Sequence, residues 1–125
     1  MASTVHIIDR YSVQVLNKRS GESPRPSIIV RLYTASGFMC GTAVFKNYAP
    51  NREVELPLGD PSEESATAFY DVQFYQAFVD ILRLESDLYW KIHWVQLGAK
   101  KHVADVSLDT KQEIIGEYFS RSETE

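Results

Sequence analysis

The sequence predicts an α+β fold: a small, mostly antiparallel β-sheet with one main helix packed across it. Most of its apolar segments alternate with polar residues at a period of two, as half-buried strands do. A single stretch, residues 73–86, changes to a helical period. Because this helix stands alone between runs of strands, the α+β class is favoured over alternating α/β units. We expect one domain over residues 1–120 and a frayed tail over residues 121–125.

The first half of the chain predicts strands and one hairpin. Residues 5–16 predict one strand, whose apolar side is formed by Val5, Ile7, Tyr11, Val13 and Val15. After a turn-rich loop, "SIIVRLYT" and "FMCGTAVF" predict a hairpin around residues 35–37, in which Gly41 faces a bulky partner. The polar segment over residues 46–65 predicts a loop with a short strand at residues 54–56. "ATAFYDV" predicts a further strand.

The helix has a candidate N-cap at Asp71. One face of this helix is apolar and aromatic, which favours packing across a sheet. The residues of this stripe are Phe74, Tyr75, Phe78, Val79, Ile81 and Leu82.

Residues 88–108 predict a second hairpin, and its register decides which side chains share a face. A three-residue loop at residues 98–100 pairs Trp94 with Ala104, Ile92 with Val106 and Trp90 with Leu108. It then places His93 opposite Asp105 and Lys91 opposite Ser107 on the other face. A two-residue loop would instead set Trp94 against Asp105, so we favour the register that separates apolar from polar side chains. Trp90 and Trp94 are therefore expected in the core.

Composition excludes several classes of function. The 125 residues carry a formal net charge of −4, which disfavours binding of duplex nucleic acid through its phosphates. Cys40 is the one cysteine, which rules out an intrachain disulfide and a zinc site built on several thiolates. There is no apolar run of the ~18 residues that a membrane helix needs. We expect a cytoplasmic protein without a membrane span.

His93 and Asp105 form the sharpest pair of candidate functional residues. A carboxylate that orients an imidazole resembles a general base, but no serine stands in a nucleophile-elbow context. An exposed cross-strand pair is therefore the favoured interpretation. The three histidines lack metal-ligand spacing, and no glycine motif of a dinucleotide or phosphate loop is present. We predict no metal, no cofactor and no catalytic residue.

Two other features predict a ligand-binding face. Tyr89 shares a strand face with Lys91 and His93, and an aromatic ring flanked by cations suits a nucleobase and its phosphates. Arg31 interrupts the apolar strand "IIVRLY", where a charge is costly unless it is paired or lies at an interface. The alternative for Arg31 is a solvated polar face of that strand.

The segment "VDILRLESDLYW" resembles one found in a family of small bacterial and phage-associated proteins. The matching residues are Asp80, Ile81, Leu82, Arg83, Glu85 and Tyr89, with Asp87 in place of a proline. Thr110, Glu113, Gly116 and Glu117 match the tail of these proteins, with Ile114 in place of another proline. Some members resemble phage Thoeris anti-defence proteins, which sequester cyclic ADP-ribose-type signals and related cyclic nucleotides between subunits of an oligomer.

The resemblance implies binding without turnover, by stacking on the base and by cations on the pyrophosphate. It adds Arg83 and Lys111 to the expected contacts. The predicted ligand-binding residues are Arg31, Arg83, Tyr89, Lys91, His93 and Lys111. We expect a homo-oligomer, because an apolar patch at residues 114–119 and a flat strand edge would otherwise be exposed. A protein-interaction module without a small ligand is the alternative, and a hydrolase using His93 and Asp105 is a third hypothesis.

Overall fold

The computed structural model of the protein describes residues 2–18 and 25–111, which form two β-sheets and one α-helix. This confirms the predicted α+β class. The predicted tail and the patch at residues 114–119 lie outside the described residues. The elements in chain order are β1 (Ala2–Ile7), β2 (Arg10–Lys18), β3 (Arg25–Tyr33), β4 (Met39–Lys46), β5 (Leu58–Asp60), β6 (Ser65–Asp71), a 3₁₀ turn (Val72–Phe74), α1 (Tyr75–Leu84), β7 (Leu88–Leu97) and β8 (Lys100–Thr110).

The strands divide into a three-stranded and a five-stranded sheet. The three-stranded sheet has the order β1–β7–β8 and is antiparallel throughout. The five-stranded sheet has the order β2–β3–β4–β6–β5, and β4 and β6 are parallel neighbours in it. The predicted hairpins are present as β3–β4 and β7–β8, and the predicted strand "ATAFYDV" is β6. In each sheet we call the side that meets the other sheet the inner face and the opposite side the outer face.

The chain passes from one sheet to the other at Ile8 and Asp9. The Ile8 amide donates to the Leu88 carbonyl at 3.0 Å, and the Asp9 amide donates to the Tyr33 carbonyl at 2.8 Å. Ile8 is 6% exposed and packs in the core between the sheets. The prediction of one continuous strand over residues 5–16 is therefore wrong. The alternating pattern breaks at the sheet change, since Ile8 is apolar on the predicted polar side and Asp9 is polar on the predicted apolar side.

The predicted apolar side of this segment is exposed in β1. Val5 and Ile7 are 51% and 67% exposed on the outer face. His6 lies on the inner side opposite Trp90, where its Nε2 donates to the Glu64 carbonyl at 2.6 Å. An imidazole with a hydrogen-bond partner can replace an apolar side chain beneath a sheet, because its polar atom is satisfied there.

The core lies between the inner faces of the two sheets. Trp90, Ile92 and Trp94 from β7 are buried there, which confirms that both tryptophans are core residues. The five-stranded sheet contributes a matching set of buried side chains from its three central strands: Val30, Leu32, Ala43, Phe45, Ala66 and Ala68.

Helix α1 covers the rest of the same inner face. Phe78 packs with ring centroids 5.2 Å from Phe45 and 5.6 Å from Tyr70, and Val79 and Leu82 are buried beside it. Asp71 caps the preceding 3₁₀ turn by accepting from the Gln73 amide at 3.1 Å, so its capping role is confirmed for that turn. Phe74 is 53% exposed, so its predicted place in the apolar stripe is wrong. It belongs to the 3₁₀ turn, whose tighter winding rotates it away from the helix face. None of the described helical segments is long and apolar enough to cross a bilayer.

Gly41 pairs with Leu32 in the β3–β4 hairpin, the bulky partner that the sequence predicts, and the space over Gly41 is filled by Trp90 of the other sheet. A Cβ atom built on Gly41 would overlap Nε1 and Cε2 of the indole and stand 2.7 Å from its Cδ1. The indole therefore lies directly on the β4 backbone. This close approach brings the two sheets together at their centre, and Trp90 is fully buried there.

The β7–β8 hairpin combines a two-residue turn with a β-bulge. Gly98 has a φ of +67°, and Leu97 pairs with Lys100, so the predicted three-residue loop is wrong. Trp94 pairs with Val103 rather than with Ala104. The register then shifts between His93 and Trp94, because a β-bulge in β8 leaves Ala104 as an extra, unpaired residue. Beyond the bulge the predicted pairs are confirmed: Trp90 with Leu108, Lys91 with Ser107, Ile92 with Val106 and His93 with Asp105.

The short strand predicted at residues 54–56 is absent from the structure. Residues 52–57 form neither strand nor helix, and the strand of this region is β5, which begins at Leu58. Pro57 separates the two positions. Proline has no amide hydrogen for a ladder, so pairing starts only after it.

Cys40 lies fully buried between the sheets, and this makes the stability of the fold depend on pH. Its Sγ donates to the Leu32 carbonyl at 3.6 Å, and burial raises the pKa of the thiol from 9.0 to about 11. Above pH 9.0 the unfolded chain loses the thiol proton while the folded protein keeps it until about pH 11. The contribution of the Cys40 thiol to the free energy of unfolding is therefore fully present below pH 9.0 and decreases above it.

We expect the free energy of unfolding of the wild type to fall more steeply with pH than that of a Cys40→Ala variant. Between pH 9.0 and about pH 11 the extra slope should approach ~1.4 kcal/mol per pH unit. Urea unfolding of both proteins, measured at several pH values across this range, gives the two slopes. Equal slopes would mean that the thiol ionises in the folded state as readily as in the unfolded chain.

Candidate functional site

Three of the predicted ligand-binding residues share the outer face of the three-stranded sheet. Tyr89, Lys91 and His93 alternate with the buried tryptophans of β7 and are half-buried. Ile7, Val5 and Ser3 lie opposite them on β1. On the other side they face Asp109, Ser107 and Asp105 of β8.

The cations on this face are paired with carboxylates. Lys91 Nζ lies 3.2 Å from Asp109 Oδ2, and His93 Nδ1 lies 2.5 Å from Asp105 Oδ1. The predicted His93–Asp105 pair is thereby confirmed as a hydrogen bond, with side chains 34% and 64% exposed. Since β8 lines this face with two acids, an anionic ligand would meet carboxylates as well as cations there. The hydrogen bonds of the described residues include none from a hydroxyl or thiol to His93.

The other three predicted residues lie elsewhere. Arg83 is on the exposed side of α1, 4.0 Å from Asp80 Oδ1, with 59% of its side chain exposed. Lys111 follows β8, and its amide donates to the Asp87 carbonyl at 3.2 Å, at the end of the three-stranded sheet where Tyr89 lies. Arg31 lies on the outer face of the five-stranded sheet and donates to Gln14 Oε1 at 2.8 Å. Because the two outer faces point away from each other, the six residues do not form one site.

A groove of about 650 Å³ lies on the outer face of the five-stranded sheet. Its floor consists of half-buried apolar side chains in neighbouring strands. Ile29, Val44 and Phe69 stand side by side in β3, β4 and β6, and Leu16 from β2 closes one end. This volume falls within the range of about 300–1,000 Å³ that small-molecule sites occupy.

The rim of the groove is formed by the chain that leaves β4. Lys46 ends the strand, and Asn47, Tyr48 and Arg52 follow within the next turn. The Arg52 amide donates to the Ala49 carbonyl at 3.0 Å, which closes this turn. The strand end and the turn therefore place one phenol and two cations beside the apolar floor.

Lys46 connects the floor to the rim. Its ammonium lies 5.3 Å from the centroid of the Phe69 ring, within cation–π distance. The same ammonium donates to Glu55 Oε1 at 2.7 Å, and the Tyr48 hydroxyl donates to that oxygen at 3.1 Å. One carboxylate oxygen thus accepts from both groups.

These contacts shift the pKa values of Glu55 and of Tyr48. Hydrogen bonding from Lys46 is the largest effect that lowers the pKa of Glu55, and the fields of Lys46 and Arg52 add to it. Burial first, and then Glu55, raise the pKa of Tyr48, so the phenol remains a hydrogen-bond donor. At neutral pH the rim therefore carries a carboxylate paired with the Lys46 ammonium, a second cation in Arg52 and a neutral phenol. Such a set of donors binds anionic oxygen atoms.

Sequence reasoning identified one residue near this groove and missed the rest. Arg31 lies two positions along β3 from Ile29, on the same face. Phe69 was missed because only the parallel β4–β6 pairing brings it beside Val44 and Ile29. A signal was present in "FKNYAPNRE", where two cations and a tyrosine follow the last apolar residue of a strand within a few positions.

Comparison with known proteins leaves the family of the chain open. No protein-family model, no curated protein and no solved structure matches it.

Proposed function

We propose that the protein binds a small nucleotide-like molecule in the groove on the outer face of the five-stranded sheet and holds it without converting it. The observation that carries this proposal is the joint contact of Lys46 with the Phe69 ring and with a carboxylate oxygen. A nucleotide needs the same two neighbouring features, a surface for its base and donors for its phosphate.

The floor of the groove supplies the surface for the base. Phe69 with Ile29 and Val44 forms an apolar platform whose side chains are half-buried and so remain accessible. Stacking of a base on an aromatic side chain contributes roughly 1–3 kcal/mol. The size of the groove suits one nucleotide-like molecule.

The rim supplies the donors for phosphate. Lys46, Tyr48 and Arg52 all line the groove, and the described ion pairs leave the Arg52 guanidinium without a carboxylate within 4.0 Å. On the opposite outer face, Lys91 is paired with Asp109. The groove is therefore the better location for an anion, although Tyr89, Lys91 and His93 were the sequence-based choice.

The proposal includes association of several copies, as the resemblance to cyclic ADP-ribose-sequestering proteins implies. Strand β2 is an edge of the five-stranded sheet, and Val13 and Val15 on its inner side are 40% and 71% exposed. An open edge that carries exposed apolar side chains favours pairing with another chain. Leu16 of this strand also lines the groove, so association at β2 would border the ligand site.

Thermal unfolding of the wild type with cyclic ADP-ribose isomers and with cyclic di- and trinucleotides tests this function. A compound at ~100 times its dissociation constant should stabilise the fold by roughly 2.7 kcal/mol, which raises Tm by several degrees. We expect one compound to do so and to be recovered intact after denaturation. Light scattering of the same samples gives the number of copies.

Lys46→Gln should weaken the binding of that compound by at least tenfold, the loss expected for a charge-assisted hydrogen bond of about 1.5–3 kcal/mol. The matched change on the opposite face is Lys91→Gln. If Lys91→Gln weakens binding and Lys46→Gln does not, the ligand binds at the sequence-predicted face instead. If no compound shifts Tm, an interaction module that uses its exposed strand edges becomes the better hypothesis. A consumed compound would instead indicate an enzyme.

A further inference from the structure

We infer that the Glu55 carboxylate occupies the position of the ligand's anionic group, so that the groove selects compounds in which a planar ring and an anionic group are joined by a short linker. This inference rests on the proposed function and specifies the class of ligand. It also assigns Glu55 as an internal competitor that the ligand displaces.

The geometry around Glu55 is that of an occupied anion site. Its Oε1 accepts from the Lys46 ammonium at 2.7 Å and from the Tyr48 hydroxyl at 3.1 Å. Both donors line the groove, whereas Glu55 itself lies in the neighbouring segment. A phosphate or carboxylate oxygen of a ligand would need the same two donors. Because the Tyr48 hydroxyl has a single proton, a ligand oxygen that accepts it must displace Glu55.

The Glu55 side chain can move away from Lys46 and Tyr48. It stands in residues 52–57, which form neither strand nor helix, and about half of its side chain is exposed. An exposed ion pair of this kind contributes little to stability. The displaced carboxylate can return to water without disturbing a strand.

The position of Lys46 sets the distance between ring and anion. Its single ammonium group contacts both the Phe69 ring and the Glu55 oxygen. A ligand that replaces Glu55 while it covers Phe69 must carry its anionic group close to its ring, because one ammonium group contacts both positions. A nucleoside monophosphate has this form, adenosine lacks the anion, and inorganic phosphate lacks the ring.

Calorimetric titration of the wild type, Glu55→Gln and Glu53→Gln with adenosine 5′-monophosphate, adenosine and inorganic phosphate tests this inference. Glu53→Gln is the matched control. It removes the same charge two residues away, and the described hydrogen bonds and ion pairs do not include Glu53. We expect Glu55→Gln to bind the monophosphate about fivefold tighter than wild type, the factor that corresponds to the ~1 kcal/mol of an exposed ion pair. Glu53→Gln should bind like the wild type, and adenosine should bind all three proteins alike.

Three results would overturn the inference, and they differ in what they mean for the proposed function. If the wild type binds the monophosphate or a compound of the cyclic nucleotide panel, and Glu55→Gln binds it no more tightly, the groove binds a ligand without displacing Glu55. If Glu55→Gln and Glu53→Gln strengthen binding equally, the effect is one of overall charge. If neither the wild type nor Glu55→Gln binds any compound of either set, the proposed function fails and the inference fails with it.

Discussion

Gly41→Ala should destabilise the fold by at least ~3 kcal/mol, the upper end for overpacking a core, or prevent folding. The added Cβ would overlap the Trp90 indole, which is fully buried and has no space to withdraw into. The backbone cannot yield either, because Gly41 is paired with Leu32 on one side and with Ala66 on the other. Urea unfolding of the wild type and the variant measures the loss.

Gly98→Ala is the matched control for this prediction. A Cβ at Gly98 would meet open space, so only its φ of +67° opposes the change. This strain costs about 1–2 kcal/mol. Trp90→Leu should also cost less in the Gly41→Ala background than in the wild type, since the two changes relieve each other. A Gly41→Ala protein within about 1 kcal/mol of the wild type would contradict the close packing of the sheets at this point.

Phe45→Ala should cost about 3–5 kcal/mol, as truncation of a fully buried aromatic side chain does. Phe45 is 0% exposed, and its ring packs against Tyr70, Tyr75 and Phe78. Its loss would leave a cavity where the helix meets the five-stranded sheet. Chemical unfolding, monitored by circular dichroism, measures the change.

Phe69→Ala is the control for Phe45→Ala, because it removes the same side chain from the opposite face of the same sheet. Phe69 is half-buried in the groove, so its truncation should cost less than ~1.5 kcal/mol. The same variant should lose affinity for the groove ligand while it remains folded. Equal costs for the two variants would mean that the outer face is packed as tightly as the core, and the groove would not be a site.

Local patterns predicted the elements and much of their pairing. Trp90 and Ile92 were placed in the core because the β7–β8 register that buries them also keeps His93 and Asp105 outside. The bulge at Trp94 was not predicted, since a two-residue turn plus one extra residue gives the same pairs below it as a three-residue loop. The sheet change at Ile8 was missed because the alternation, which breaks at Ile8 and Asp9, resumes in the same phase at Tyr11.

The candidate site was harder to predict than the fold. Tyr89, Lys91 and His93 were chosen because they are neighbours on one strand, and the structure places them together. The groove combines residues from four strands and a turn, and its floor depends on the parallel contact between Val44 and Phe69. Pairing between strands that are separated in sequence is set by the whole core. No local pattern specifies it.

The passage of the chain between sheets at Ile8 and Asp9 determines the order in which the molecule can assemble. Strand β1, which precedes this point, pairs with β7, so Ala2 must meet Trp94, a residue far from it in sequence. The entropy of closing so long a loop must be lost before these contacts stabilise anything. The β3–β4 and β7–β8 hairpins can form locally. The three-stranded sheet can form only when β1 and β7, which are far apart in sequence, have come together. Strand β1 is therefore synthesised long before its partner β7, and folding belongs to the slow regime of high contact order.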